Sequence, residues 1–309
     1  MALNTYISQT QTILHDFNGV FYGSPLNLTS IINTARNKVA LKGQCIRVLP
    51  PSSSSVATFT KVAGGSGYTS NPTITVSGPD VPNSTQATAT AVVSGGVITA
   101  INIAIAGNGY VNTPTVTITD TTGVGASYTA SLLFTPMTTT SNQEVYNFSA
   151  FNSLVARTSG VATIQEVLSV SVSYGTKKPS LRYLPFAQFQ AYCRIFNNTQ
   201  QNYPSFWSQY SKGANGSIYV FEVPTGTYQM EWDCACLPIA LATDSDPEAI
   251  PYPWTDAVQY YAAHLCYEYA QRSDDAARML AKFNQKMMEA NTESTPPRFS
   301  DMYSDDGED

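Results

Sequence analysis

Leu3, Tyr6, Ile7, Thr10, Ile13, Leu14 and Phe17 recur at three- and four-residue steps, a spacing that places them on one stripe and predicts a helix over residues 1–17. Asp16-Phe17-Asn18-Gly19 ends it. A second stripe of Leu28, Ile31, Ile32, Ala35 and Val39 predicts a helix over 27–42, opened near Ser24-Pro25 or Asn27 and stopped at Gly43. Each helix has an apolar face to bury, and the stripe alone names no partner.

The pattern changes after Ile46–Pro51, where Pro50-Pro51 and Ser52–Ser55 read as a linker. Gly65-Ser66-Gly67-Tyr68-Thr69-Ser70-Asn71-Pro72 then returns 42 residues later as Gly107-Asn108-Gly109-Tyr110-Val111-Asn112-Thr113-Pro114. Both copies continue into Thr alternating with Ile or Val, which marks half-buried strands. Further alternating runs follow at Ala87–Val93 and Ala126–Phe134, and Val97–Ile105 is a strand between them. Residues 56–135 thus read as a small all-β unit of two similar halves. No helix follows either Gly-x-Gly-Tyr, so neither is a phosphate cradle. Gly65, Gly67, Gly107 and Gly109 are expected at positive φ in turns, with Tyr68 and Tyr110 packed over them.

Past Gln143 the pattern is mixed. Glu144–Phe148, Ile164–Tyr174, Ser217–Phe221 and Tyr228–Leu237 read as strands, and Leu184–Phe196 as a helix. Gly213–Gly216 and Pro224–Gly226 resemble hairpin turns. The aromatics Tyr203, Phe206, Trp207, Tyr210, Tyr219 and Phe221 suit a core or an assembly interface better than a ligand groove. Pro251-Tyr252-Pro253-Trp254 leads into a helix with Thr255 as its candidate cap and Val258, Tyr261, Ala262, Leu265, Cys266 and Tyr269 as its stripe. Ser273, followed by Asp274 and Asp275, caps a further helix carrying Ala276, Leu280, Phe283 and Met287. Beyond Asn291 the chain reads as an extended acidic arm.

Composition sharpens this picture. Only 12% of the 309 residues are charged, about half the usual share, while 43% are hydrophobic, so the chain has ample core and is not disordered. Residues 46–142 hold four charges, Arg47, Lys61, Asp80 and Asp120, whereas residues 291–309 hold six acids against Arg298. That is unusual for strands, whose edges are commonly guarded by lysine, and suggests a surface covered by neighbouring subunits. No basic stripe is present, which argues against tight duplex-DNA binding but allows passive contact. No apolar run is long enough to span a membrane, and no signal-peptide pattern opens the chain, so folding in a cytosol is expected.

The five cysteines, Cys45, Cys193, Cys234, Cys236 and Cys266, lack metal-type spacing and are expected to be buried and reduced. With His15 and His264 as the only histidines, no nucleophilic triad is apparent and no metal or cofactor is expected. Asp244, Asp246 and Glu248 resemble part of a calcium loop without its glycine or distal glutamate, and their loop composition reads as solvated. The chain is read as a non-enzyme.

The outer segments resemble a known family. Tyr6, Thr10, Leu14-His15-Asp16, then Leu28–Val39, Glu144-Val145-Tyr146, and the run from Leu237-Pro238 through Glu248 to Pro253-Trp254-Thr255-Asp256-Ala257-Val258 look like the head-to-tail adaptor (connector) proteins of short-tailed bacteriophages. Ala262-Ala263 and Ala270–Ala276 fit as well. The resemblance covers residues 1–50 and 143–290, and Pro-Trp-Thr-Asp is its most specific part. It implies a ring, commonly dodecameric, beneath the portal of the filled head, assembled in the bacterial host cytoplasm and carried at the head–tail interface of the virion. The expected fold is α+β: an adaptor core over 1–50 and 136–290, made of a helical bundle from both chain ends plus a mixed β region, with 56–135 as an all-β insertion and 291–309 as an arm.

The resemblance implies as partners the chain itself, the portal protein and tail nozzle or tail fibre proteins, with double-stranded DNA passing through. It implies portal contact by Pro296, Pro297, Arg298, Phe299, Met302 and Tyr303, and bundle and ring packing by Trp254, Val258, Tyr261, Leu265, Tyr269, Leu280 and Phe283. The alternative is a tail or surface module that uses the β repeat, with Tyr68 and Tyr110, to contact a receptor or glycan.

Overall fold

The first apolar stripe folds as α1 (Leu3–Leu14), which ends because His15 adopts a left-handed conformation (φ 55°) while the Asp16 amide donates back to the Gln11 carbonyl at 3.0 Å. The helix therefore stops short of the expected residue 17. The computed structural model describes residues 1–16, 25–193, 195 and 201–294, so Phe17 and Ser24 lie outside the described residues. α2 (Pro25–Gly43) and the short strand β1 (Arg47–Val48) follow.

The alternating Thr/Ile/Val region forms β2 (Val56–Ser66), β3 (Thr73–Val76), β4 (Thr88–Ser94), β5 (Val97–Ile105), β6 (Val116–Thr119) and β7 (Val124–Leu132). β2 pairs with β7, and the other four form a sheet in the order β5-β4-β3-β6. β2 lies along β5 and β6 along β7, and the Val56 amide donates to the Ala106 carbonyl at 3.0 Å. The two sheets thus close on each other. β2 stands beside the β5 edge of the larger sheet and β7 beside its β6 edge.

Two clusters fill the interior, one around Tyr110 with Val56, Val76, Ala87 and Ala130, the other around Tyr68 with Ala91, Ile98, Ile101 and Tyr128. The copies interlock. The Tyr68 hydroxyl, from the first copy, accepts from the Ala126 amide of the second at 3.3 Å; the Tyr110 hydroxyl, from the second, accepts from the Ala87 amide of the first at 2.8 Å and donates to the Ser77 carbonyl at 3.1 Å. Gly65, Gly67, Gly107 and Gly109 all have positive φ. A Cβ at Gly65 would stand 2.5 Å from the Val124 carbonyl, and one at Gly107 2.6 Å from that of Thr85. The glycines let each turn reach the other copy's strand.

Two of the four charges in this region also hold turns. Asp80 accepts from the Val111 and Asn112 amides at 2.7 and 2.9 Å, and Asp120 from the Gly123 amide at 2.7 Å. Burial alone would raise the Asp80 carboxyl, but the Asn112 and Val111 hydrogen bonds together outweigh it and hold the group below its ordinary range. The fold therefore favours the ionised form. The stability that Asp80 contributes should be complete above about pH 4 and lost as pH falls through its lowered pKa. Comparing wild type with Asp80→Asn in thermal melts from neutral to acid pH should show the wild-type advantage shrink toward zero.

The expected serine linker is partly ordered. Ser54 is buried and exchanges both backbone hydrogen bonds with Tyr110, at 2.7 and 3.1 Å, and the Gln229 side chain donates to the Ser52 hydroxyl at 2.8 Å. Small polar residues disguised a pairing segment as a tether.

The remaining elements are β8 (Val145–Asn147), α3 (Asn152–Val155), β9 (Val161–Val172), β10 (Arg182–Tyr183), α4 (Phe186–Cys193), β11 (Gln201–Asn202), β12 (Phe206–Tyr210), β13 (Ser217–Phe221), β14 (Val223–Pro224), β15 (Met230–Pro238), α5 (Thr255–Tyr269) and α6 (Ser273–Ser294). The sheet orders are β1-β15-β9, β10-β12-β13-β8 and β11-β14. Gly213–Asn215 joins the antiparallel pair β12 and β13 as expected. Pro224–Gly226 is not a hairpin, because β14 and β15 belong to different sheets. The chain is a mixed α+β protein divided into two compact units. The first holds Met1–Arg47, Ala156–Gln165 and Ala235–Asp309; the second holds Val48–Val155 and Glu166–Cys234. Residues 56–135 thus share a unit with the strands that follow them.

Candidate functional site

The most developed polar site lies in the first unit, in the loop leaving β15. Arg36 sits on the apolar face of α2, between Ile32 and Val39, and all three are fully buried. Burying a guanidinium there demands a partner. Glu248 supplies it: Arg36 Nη2 and Nε donate to the two carboxylate oxygens at 2.7 and 2.9 Å, with side-chain exposures of 1% and 5%. Arg36 Nη1 donates to Asn33 Oδ1 at 3.0 Å and to the Ile239 carbonyl at 2.7 Å. Asn33 in turn exchanges two hydrogen bonds with the Leu241 backbone, both at 2.9 Å. Glu248 also accepts from the Tyr6 hydroxyl and the Ile250 amide, each at 2.9 Å. Burial, with the Glu248 carboxylate beside it, pushes the Tyr6 phenol far above its ordinary range.

Of the three acids expected in solvent, Glu248 is a buried anchor, whereas Asp244 is exposed and Asp246 half-buried, each bonded to nearby backbone. Asp244 accepts from the Asn4 amide at 2.7 Å, and Asp246 from the Thr243 and Ala242 amides at 2.6 and 2.7 Å. Backbone donation from Thr243 and Ala242 holds the Asp246 carboxyl below its usual range. Each carboxylate turns to a different partner, so the three form no calcium loop. Among the described residues, no three His, Cys, Asp or Glu side chains converge on a metal-sized site.

The same loop ends in Pro251–Trp254. The Trp254 amide donates to the Pro251 carbonyl at 3.0 Å, and α5 begins at Thr255. Thr255 is the first helical residue rather than the cap, and Trp254 makes no side-chain capping bond. The Trp254 indole lies against the end of α2, where a Cβ on Gly43 would stand 2.6 Å from Cζ3. Replacing Gly43 with alanine should lower stability by about 1–3 kcal/mol, because a buried ring must move to admit the methyl group; thermal melting of the variant checks this.

α5 packs against α1, α2 and α6. Trp254, Val258 and Phe283 are buried, and Tyr261, Leu265 and Leu280 are half-buried. The Tyr261 and Phe283 rings meet with centroids 4.9 Å apart. Tyr269 is a correction to the expected bundle packing, since it is 75% exposed. α5 is covered on several sides instead of along one stripe, so Tyr267 is buried on another side, and the last turn runs beyond its neighbours before Gln271 (φ 58°) redirects the chain. His264, expected to have no catalytic part, has Nδ1 bonded to the Ala276 carbonyl at 2.9 Å, linking α5 to α6.

Pro296, Pro297, Arg298, Phe299, Met302 and Tyr303 lie outside the described residues. Tyr68 and Tyr110 are interior, with their hydroxyls engaged, so they present no ring to a ligand. The five cysteines form no disulfide among themselves. Burial pushes the Cys45 and Cys236 thiols up to about 12 and that of Cys266 to about 11.

The best-built site is thus a clamp that ties a loop to two helices. A family model described as SU10 adaptor protein matches residues 116–301, more than half of the chain, which therefore belongs to the SU10 adaptor family. That family comprises structural phage adaptors, not enzymes, and places this chain among virion components that meet other head and tail proteins. The match begins at the first residue of β6 and leaves residues 1–115, with α1 and α2, outside it. No curated protein matches the sequence. Among the described residues, no helix is long and apolar enough to cross a membrane.

Proposed function

We propose that the chain is the subunit of a ring, dodecameric in the assembled particle, that joins the portal of the filled head to the tail and lets DNA pass. The match to the adaptor family over residues 116–301 carries this reading. The contacts of α5 with α1, α2 and α6 support a bundle drawn from both chain ends as its core. Leu41, Tyr269 and Met288 expose large apolar surface on that unit, as a subunit that meets others would. The acidic balance of −6 favours sliding over binding of DNA.

Residues 56–135 are the inserted domain in this reading, projecting from the ring toward the tail nozzle, fibres or capsid vertex. The arm over 291–309, with Pro296 to Tyr303, is its portal contact. Particles assembled without this chain should contain packaged DNA but no tail, and adding the purified chain should restore tail attachment and infectivity. Tail attachment unchanged in its absence would overturn the proposal.

A further inference from the structure

We infer that the second unit carries a binding pocket for a neutral hexopyranose. The pocket holds about 410 Å³ between β9, β10, β12 and the turn after β12, and its lining includes Tyr183, Trp207, Glu166, Lys212, Gln209 and Ser211. Its floor follows from strand pairing: β10 and β12 run parallel with Tyr183 opposite Trp207, which sets the two rings 4.9 Å apart at 60°. Trp207 is buried beneath, while Tyr183 is 51% exposed and offers an open ring. An exposed ring beside a buried one is a platform for the C–H face of a sugar.

Polar groups border this platform. Gln209 Oε1 accepts from the Val167 amide at 3.0 Å, and its Nε2 donates to the Ser211 carbonyl at 2.8 Å. Ser211 has φ 64° in the turn that joins β12 to β13, which sets where the turn stands beside the platform. Lys212 Nζ stands 2.6 Å from Glu166 Oε2, placing a donor and an acceptor side by side with no net charge. Adjacent sugar hydroxyls satisfy both at once, one donating to the carboxylate and the next accepting from the ammonium group. A phosphate or carboxylate ligand would instead face Glu166. Aromatic floor, paired donor and acceptor, and neutrality together select an uncharged sugar ring. This pocket is separate from the β repeat, whose tyrosines are interior.

The test titrates the full chain with methyl β-D-glucopyranoside, methyl β-D-galactopyranoside and methyl α-D-mannopyranoside to tens of millimolar, reading the change in tryptophan fluorescence against a Trp207→Phe control that leaves Trp232 and Trp254 as the only tryptophans. At least one glycoside should bind saturably. Tyr183→Ala should weaken it about tenfold or more, and Tyr183→Phe should bind within about twofold of wild type, because stacking needs the ring and not the hydroxyl. Lys212→Met should also weaken it about tenfold; Lys212 is largely exposed, so this variant keeps its fold and decides the matter if Tyr183→Ala does not. No saturable signal from any of the three glycosides, binding indifferent to folded variants, or binding of inorganic phosphate in their place would overturn the inference.

Discussion

Glu248→Ala is expected to destabilise the first unit by roughly 3–5 kcal/mol. The substitution strands the Arg36 guanidinium in an apolar environment and releases the Tyr6 hydroxyl and the Ile250 amide together. Charge attraction alone is a poor guide to this magnitude, because the pair has already lost its hydration and the intact bridge contributes less than its rupture costs. The double change Arg36→Met with Glu248→Leu should therefore recover a substantial part of the loss. Urea unfolding, with midpoint and slope compared across the single and double variants, measures it. Single changes costing less than about 1 kcal/mol would show that the bridge is not the anchor of the loop.

Tyr110→Ala is expected to cost about 3–5 kcal/mol in the second unit, since it empties the centre of one interior cluster. Tyr110→Phe keeps the ring and should cost about 1–3 kcal/mol, because the buried Ala87 amide loses its acceptor. Tyr68→Phe should cost less than Tyr110→Phe, its hydrogen bond to Ala126 being longer at 3.3 Å. Equal effects of Tyr110→Ala and Tyr110→Phe would mean that the ring's packing contributes little. Thermal and chemical unfolding of the three variants separate these outcomes.

Much of this architecture was legible in the order of residues. The run Val97–Ile105 has the bounds of β5, and the apolar stripes foretold α1, α2, α5 and α6 to within a few residues. The Gly-x-Gly-Tyr repeat foretold positive φ at its four glycines. It did not foretell the exchange of tyrosine hydroxyls, because a period relates copies along the chain and says nothing about which strand each turn meets.

Glu248 was misread for a similar reason. Its neighbours are polar, and its partner lies 212 positions away. The signal was in α2, where Arg36 falls on the stripe of Ile32 and Val39: a charge on a buried face requires an opposite charge from elsewhere. Tyr269 shows the opposite failure, since a one-stripe reading cannot describe a helix packed on several sides. The pocket floor of Tyr183 and Trp207 depends on a parallel pairing of two-residue strand β10, too short to carry a pattern.

Stoichiometry at the portal decides whether the chain is a ring-forming adaptor. Purified full chain should be mixed with portal rings from the same virus and examined by negative-stain microscopy together with mass measurement. A ring-forming adaptor should appear as a second ring seated coaxially on the portal, adding about twelve copies of the 33.4 kDa chain. A chain that remains monomeric and leaves the portal rings unchanged in mass and outline would contradict it.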